Sequence, residues 1–105
     1  MKKEYRLVVA GGRDFKNYLL LSKELKKYIN ELGSEYSIII LSGGASGADT
    51  LGEKFAKNHK LKVERYPAEW KMYGRAAGPK RNAQMIQAAD GLIVFWDKSR
   101  GIQRI

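Results

Sequence analysis

A glycine- and serine-rich stretch offers the clearest chemistry in this sequence. It runs from Leu41 to Thr50 and reads LSGGASGADT, between an apolar run at 37–41 and a helix-compatible run at 50–58. Glycine permits a positive φ and lets a ligand approach the backbone. The first N–H groups of a helix lack partners and, with the helix dipole, favour an anion. Residues 43–49 are therefore predicted to hold a phosphate or a carboxylate; the alternative is a tight turn with nothing bound.

Charged side chains elsewhere suit the same anion. Arg13 follows an apolar run and can bind a phosphate with two parallel N–H groups, whereas Asp14 beside it is also typical of a turn. Arg81 and Asn82 are predicted in the first turn of a helix, where the dipole disfavours a cation unless an anion is close. The alternative for Arg81 is an ordinary surface pair with a carboxylate. Asp49 either caps the helix after the loop or accepts a hydrogen bond from a ribose hydroxyl.

Two aromatic side chains, Trp70 and Tyr73, lie in a long stretch at 67–78 that is predicted to be irregular. They can stack on a nucleobase, or they can form a lid packed on the core. The candidate residues for binding a ligand or its phosphate are Gly11, Gly12, Arg13, Ser42, Gly43, Gly44, Ala45, Ser46, Gly47, Asp49, Gly78, Arg81 and Asn82, with Trp70 and Tyr73 as candidates for stacking.

The elements that must position these residues alternate along the chain. Strands are predicted at 5–10, 37–41, 61–66 and 91–96. Helices are predicted at 18–32, with Asn17 as N-cap and Gly33 after its end, at 49–58, and from Gly78-Pro79 onward. The last of these is expected to turn Ala83, Ile86 and Ala89 inward. Such alternation predicts an α/β fold, a parallel sheet with helices on both faces.

The polar glycine turns at 11–14, 43–49 and 97–101 each follow a predicted strand. Because ligands of parallel sheets bind beyond the carboxyl ends of the strands, the three turns are expected to converge on one site.

Composition narrows the classes of protein. The chain has 105 residues, which fits a single domain spanning 1–105, and its net charge of +9 favours anionic partners. It has no cysteine, no long apolar run and no signal-peptide pattern at its start, which together suggest a cytoplasmic protein with no contact to a membrane. With one histidine, His59, and no carboxylate cluster at ligand spacing, no metal site is expected, and no cofactor is required.

Two motifs resemble those of the SLOG superfamily. The segment 43–49 is similar to its GGxxGxD-type phosphate loop, and AGPKRN at 77–82 is similar to its second motif, a glycine followed closely by Arg-Asn at a helix start. VVAGGRDF at 8–15 and the Trp96-Asp97 strand end resemble the YspA-related branch. The likeness covers residues 5–101. It implies a three-layer Rossmann-like fold that binds nucleotides or nucleotide-derived ligands, with strand order 3-2-1-4.

The sequence departs from this pattern twice. The Lonely Guy phosphoribohydrolases, which are more distant relatives, carry PGGxGTxxE at the phosphate loop, and here Glu53 is not at the matching offset. Relatives also continue after the fourth strand with a helix and a fifth strand, which are expected to be missing here. The apolar strand at 92–96 would then be an edge strand. Since exposed apolar edges and faces favour pairing, a two-fold dimer is predicted through residues 92–96 and 80–89; the alternative is that the 105 residues are a truncated, marginally stable piece.

Three functions follow as hypotheses. The first is the binding or sensing of a nucleotide-like small molecule. The second is hydrolysis of a nucleotide's N-glycosidic bond, for which Asp14, Asp49, Glu69 and Asp97 are the available carboxyl groups, none of them assigned as catalytic. The third is binding of single-stranded nucleic acid, as in the related DNA-processing protein A group, which would weaken steeply with salt.

Overall fold

The computed structural model describes residues 2–44 and 46–96 and the backbone of residues 102–104. The strands are β1 (Lys3–Gly11), β2 (Tyr36–Ser42), β3 (Lys62–Arg65), β4 (Gly91–Phe95) and β5 (Ile102–Arg104). The helices are α1 (Tyr18–Leu32), α2 (Ala48–Asn58), α3 (Trp70–Tyr73) and α4 (Ala77–Ala88), and a 3₁₀ turn at Gly74–Ala76 joins the last two.

The first four strands form a parallel sheet in the order 3-2-1-4, as predicted. β1 lies at its centre, where Leu7 is paired with Ile40 of β2 and with Gly91 of β4. This order follows from crossovers on two sides of the sheet, since β1, β2 and β3 are joined through α1 and α2, and β3 is joined to β4 through α4.

Helices cover both faces of the sheet, which explains why the central strands are apolar without alternation. Alternate residues of β1 and β2 serve opposite faces. One face packs against α1 and α2. The core between them contains Leu7, Val9, Leu21, Leu25, Ile38, Ile40, Phe55, Ile93 and Phe95. The other face packs against α4 and contains Val8, Ile39, Leu41 and Met85.

Helix α1 has the predicted bounds because both ends carry the expected signals. The Asn17 side chain accepts a hydrogen bond from the Leu20 N–H at 3.0 Å. Gly33 ends the helix with φ 98°, and its N–H donates to the carbonyl of Ile29.

The stretch predicted to be irregular, 67–78, contains α3 and the 3₁₀ turn, so that part of the prediction is wrong. The inward face of α4 was also predicted wrongly. Met85 is 4% exposed, whereas Ile86 is 59% exposed and Ala83 points to solvent; only Ala89 is partly buried, just past the helix end. Adjacent helical residues are 100° apart, so Met85 and Ile86 cannot both face the sheet.

The expectation of a missing fifth strand needs a correction. Residues Ile102–Arg104 form a short strand, β5, antiparallel to β4, with Phe95 opposite Ile102. β4 is therefore not an edge strand, and that premise of the predicted dimer is wrong. The dimer itself stays a prediction, and the exposed Ile86 of α4 is its remaining support.

No helix in the described part of the chain combines the length and the apolar character needed to cross a membrane. Residues 2–44 and 46–96 also contain no group of three or more His, Asp or Glu side chains arranged to hold a metal ion.

Candidate functional site

The two glycine turns at 11–14 and 43–49 pack directly against each other at the carboxyl ends of β1 and β2. The N–H of Ala48 donates to the carbonyl of Gly12 at 3.4 Å. Gly47 has φ 80°, and a Cβ there would lie 2.6 Å from the carbonyl oxygen of Arg13 and closer still to that of Gly12. Glycine at position 47 thus allows the two turns to touch.

The first turn is also tied to the end of β4. The N–H of Gly12 donates to the carbonyl of Phe95 at 3.1 Å. Gly11 has φ 152°, and a Cβ there would overlap with the Phe95 carbonyl and lie 3.0 Å from the Ala48 Cβ. The structure therefore brings two of the three predicted turns together, while the third, Asp97–Gly101, lies outside the described residues.

Inside the loop that joins β2 to α2, two amides are already engaged. The Gly43 N–H donates to Oδ2 of Asp49 at 3.2 Å, and the Gly44 N–H donates to Oγ of Ser42 at 3.1 Å. Asp49 is 8% exposed, so its carboxylate helps to close the loop, and the N-cap of α2 is Gly47. Among the described residues, no backbone carbonyl accepts a hydrogen bond from the N–H groups of Ser46 and Gly47. These two groups, just before α2, can therefore donate to a bound anion. Ala45 lies outside the described residues.

Arg81 reaches the same loop from α4. Its Nη1 donates to the carbonyl of Gly43, and its Nε donates to Oδ1 of the exposed Asn82 at 2.8 Å. Because α4 begins at Ala77, Arg81 is its fifth residue and lies past the first turn, so the dipole argument made from the sequence loses force. What holds the guanidinium in place is the Gly43 carbonyl. A Cβ at Gly43 would lie only 2.9 Å from Nη1, so Gly43 provides the room for Arg81.

Two neighbouring clefts share Arg13 and Arg81. The first, here called the loop cleft, has a volume of about 220 Å³. It is lined by Arg13, Gly43, Gly44, Ser46, Ala68, Trp70 and Arg81. The second, here called the strand cleft, has a volume of about 290 Å³ and adds Gly11, Asp49 and Asn82 to a mainly apolar wall formed by β1, β4 and α4.

The two aromatic candidates have different surroundings. Trp70 is 58% exposed and lines the loop cleft, with the tip of its ring 3.6 Å from where a Cβ of Gly78 would be. Tyr73 instead lies against Lys80, whose Nζ is 4.6 Å from the ring centroid. Of the two aromatic candidates, Trp70 lines the loop cleft and Tyr73 does not. The buried Gly78 allows the Trp70 ring to approach α4.

A larger depression of about 750 Å³ lies between α2 and β3 and is lined in part by Lys54, Lys57 and Arg65. Neither glycine turn contributes to its lining. Size alone would favour this depression, but residues of both glycine turns line the loop cleft together with Arg81.

Glu53 supports the glycine loop from outside the two clefts, and the sequence analysis did not identify it. Its Oε2 accepts a hydrogen bond from Oγ of Ser42 at 2.6 Å, and its Oε1 accepts from Nη2 of Arg65 at 2.6 Å. A signal existed: Glu53 follows Asp49 by four residues, so both carboxylates lie on one face of α2. By contrast, Asp14 and Glu69 are exposed and line neither of the two clefts that share Arg13, and Asp97 lies outside the described residues.

Comparisons with known proteins bear on the family of this chain. Residues 5–73 match the model of the YspA, cpYpsA-related SLOG family, a range that contains both glycine turns and ends before Arg81. The chain is also similar to the Gene 61 protein of Mycobacterium phage D29, with 28% identity over 96 residues, which cover 86% of this chain and 75% of that protein. No solved structure matches the chain significantly. With two thirds of its residues matched, the chain belongs to the YspA, cpYpsA-related SLOG family.

Proposed function

We propose that this protein binds a nucleotide or nucleotide-derived ligand with its phosphate in the loop cleft. At a coarse level, membership in a SLOG family points to ligands of this type. The observation that carries the proposal is the convergence of a glycine loop and two arginines on one small cleft, which is also lined by Ser46, whose N–H has no backbone acceptor among the described residues.

The phosphate is expected to lie against the N–H groups of Ser46 and Gly47, since the amides of Gly43 and Gly44 donate within the loop. Arg13 and Arg81 supply positive charge from two sides. A guanidinium has five N–H groups, and Arg81 uses one on the Gly43 carbonyl and one on Asn82. Its remaining donors are enough for a phosphate without loss of either contact.

Trp70 is suited to hold the rest of the ligand. Its indole is more than half exposed at the rim of the loop cleft, and an exposed aromatic face stacks on any nucleobase. A ligand with both a phosphate and a flat ring would therefore contact both parts of the site.

Binding without turnover is supported better than hydrolysis of the N-glycosidic bond. That reaction needs a carboxyl group close to the anomeric carbon. Among the described residues no carboxylate lines the loop cleft, and the carboxylate of Asp49, which lines the strand cleft, already accepts the Gly43 N–H.

The test is a calorimetric titration with inorganic phosphate and with the four ribonucleoside 5′-monophosphates. Gly44→Val should abolish binding, because Gly44 has φ 74° and a β-branched side chain there distorts the loop. Gly74→Val is the matched control, since Gly74 has φ 55°, and a Cβ at either position meets no atom within 4 Å.

Equal binding by wild type and Gly44→Val would remove the site from this loop. Binding to single-stranded DNA that falls steeply with salt, with no affinity for mononucleotides, would instead favour a nucleic-acid binder.

A further inference from the structure

A chain of hydrogen bonds connects the surface of β3 to the glycine loop. Arg65, whose side chain is 72% exposed, donates to Oε1 of Glu53, whose side chain is 18% exposed. The other oxygen of Glu53 accepts from the hydroxyl of Ser42, which is 1% exposed. The Ser42 oxygen in turn accepts from the Gly44 N–H. Both carboxylate oxygens of Glu53 are thus engaged, one toward the surface and one toward the loop.

The fold brings these groups together by register and by close packing. Ser42 and Arg65 are partners at the ends of the adjacent strands β2 and β3. Glu53 extends toward them from α2, and its neighbour Gly52 lets that helix approach β1, because a Cβ at position 52 would lie 2.9 Å from Val9. Glu53 is therefore held at the carboxyl edge of the sheet beside the loop.

The direction of these bonds fixes the peptide group between Gly43 and Gly44. A serine hydroxyl has one hydrogen, and Ser42 gives it to Glu53, so its oxygen is left to accept the Gly44 N–H. In a trans peptide the N–H and the C=O point in opposite directions. The carbonyl of Gly43 consequently points away from Ser42, and it is this carbonyl that accepts Nη1 of Arg81.

We infer that Glu53 is a positioning residue that orients Arg81 for the phosphate through Ser42 and the Gly43–Gly44 peptide. Glu53 does not touch the ligand. The inference rests on the proposed function and deepens it, because it makes the affinity of the loop cleft depend on an ion pair outside that cleft. An anion that competes for Arg65 would weaken the hold on Glu53 and thereby loosen the loop.

The experiment is a double-mutant cycle between Glu53 and Arg81, read out as the Kd for inorganic phosphate and for 5′-AMP. Glu53→Ala should weaken binding by about 3- to 10-fold, the effect of one or two hydrogen bonds. In an Arg81→Ala background, Glu53→Ala should have almost no effect on Kd, because the side chain that Glu53 is inferred to orient is absent. Glu53→Gln fills the same space but loses the negative charge that strengthens the bonds from Arg65 and Ser42, so its effect should fall between those of Ala and wild type. Glu24→Gln on α1 is the control.

A second readout does not depend on any ligand. The ¹H–¹⁵N signals of the Gly44 amide and of the Arg81 Nε should shift in Glu53→Gln and in Ser42→Ala. A merely structural role for Glu53 would change the melting temperature without moving the Arg81 signal. Arg65→Ala should weaken phosphate binding by about 2- to 5-fold, whereas Lys62→Ala, which removes the same charge from β3, should not.

The outcomes separate the two claims. Wild-type protein that binds neither phosphate nor 5′-AMP would overturn the proposed function and this inference with it. Normal wild-type binding with unchanged affinity in folded Glu53→Ala and Glu53→Gln would overturn this inference alone. Equal losses from Glu53→Ala with and without Arg81 would show that Glu53 does not act through that arginine, which also overturns it.

Discussion

Replacing Arg81 with alanine removes the side chain that connects α4 to the glycine loop. The guanidinium donates to the Gly43 carbonyl and lines the loop cleft. A charge-assisted hydrogen bond to a phosphate contributes about 1.5–3 kcal/mol, so the affinity for a nucleoside monophosphate should fall by that amount. The Kd should therefore rise by about 10-fold to about 150-fold. Arg81→Lys keeps the charge but lacks the planar fork, and it should recover only part of the loss.

Calorimetric titration with 5′-AMP and with inorganic phosphate provides the measurement. Lys80→Ala is the matched control, because Lys80 is the preceding residue of α4, carries the same charge and lies against Tyr73 outside the loop cleft. Its effect should stay below about 0.5 kcal/mol, as for an ordinary surface change. An equally small effect of Arg81→Ala in a folded protein would reduce Arg81 to a surface residue and refute the reasoning.

Three further predictions concern the loop contact, the aromatic rim and the assembly. Gly47→Ala should lower the free energy of unfolding by about 1–3 kcal/mol more than Gly74→Ala. Both residues have positive φ, but only at position 47 would the added Cβ clash with the neighbouring turn. Equal chemical denaturation curves for the two variants would contradict this. Trp70→Ala should weaken the binding of 5′-AMP by about 1–3 kcal/mol and leave the binding of inorganic phosphate unchanged. Met72 is also highly exposed, and Met72→Ala should alter the affinity for neither ligand. Sedimentation at micromolar concentration should show a dimer that Ile86→Asp dissociates, and a wild-type monomer would end that proposal.

Most of the fold could be predicted because each local signal agrees with the global arrangement. The apolar run at 38–41 is buried on both faces, the run at 91–95 is buried or partly buried throughout, and Asn17 and Gly33 mark the ends of α1. Alternation of strands and helices predicted the parallel sheet with helices on both faces, and the sheet order suggested by the resemblance is the one observed.

The errors have physical causes that periodicity does not reveal. On α4, Met85 and Ile86 are both apolar, and only the packing against β1 and β2 decides which of them is buried. β5 has just three residues, too few for a strand pattern, and its pairing with β4 is a tertiary contact. In the candidate site, Gly43, Gly44 and Arg81 were predicted from motifs, and the structure places them along one cleft.

The chain of hydrogen bonds through Glu53 could not be predicted from motifs. Its parts come from β2, α2 and β3, and they meet only because strand register and the close approach of Gly52 to Val9 bring them together. Motifs report residues that lie close in sequence, whereas support for a loop comes from residues that are distant along the chain.

The central claim is that the glycine loop holds the phosphate of a nucleotide-like ligand. It is tested most directly by mass spectrometry of the small molecules that denaturation releases from purified wild-type protein, compared with Gly44→Val and Gly74→Val purified in parallel. We expect a phosphate-bearing nucleotide or nucleotide derivative from wild type and from Gly74→Val, and none from Gly44→Val. Release of the same molecule in equal amounts from all three proteins, or release only of molecules without a phosphate, would contradict the claim.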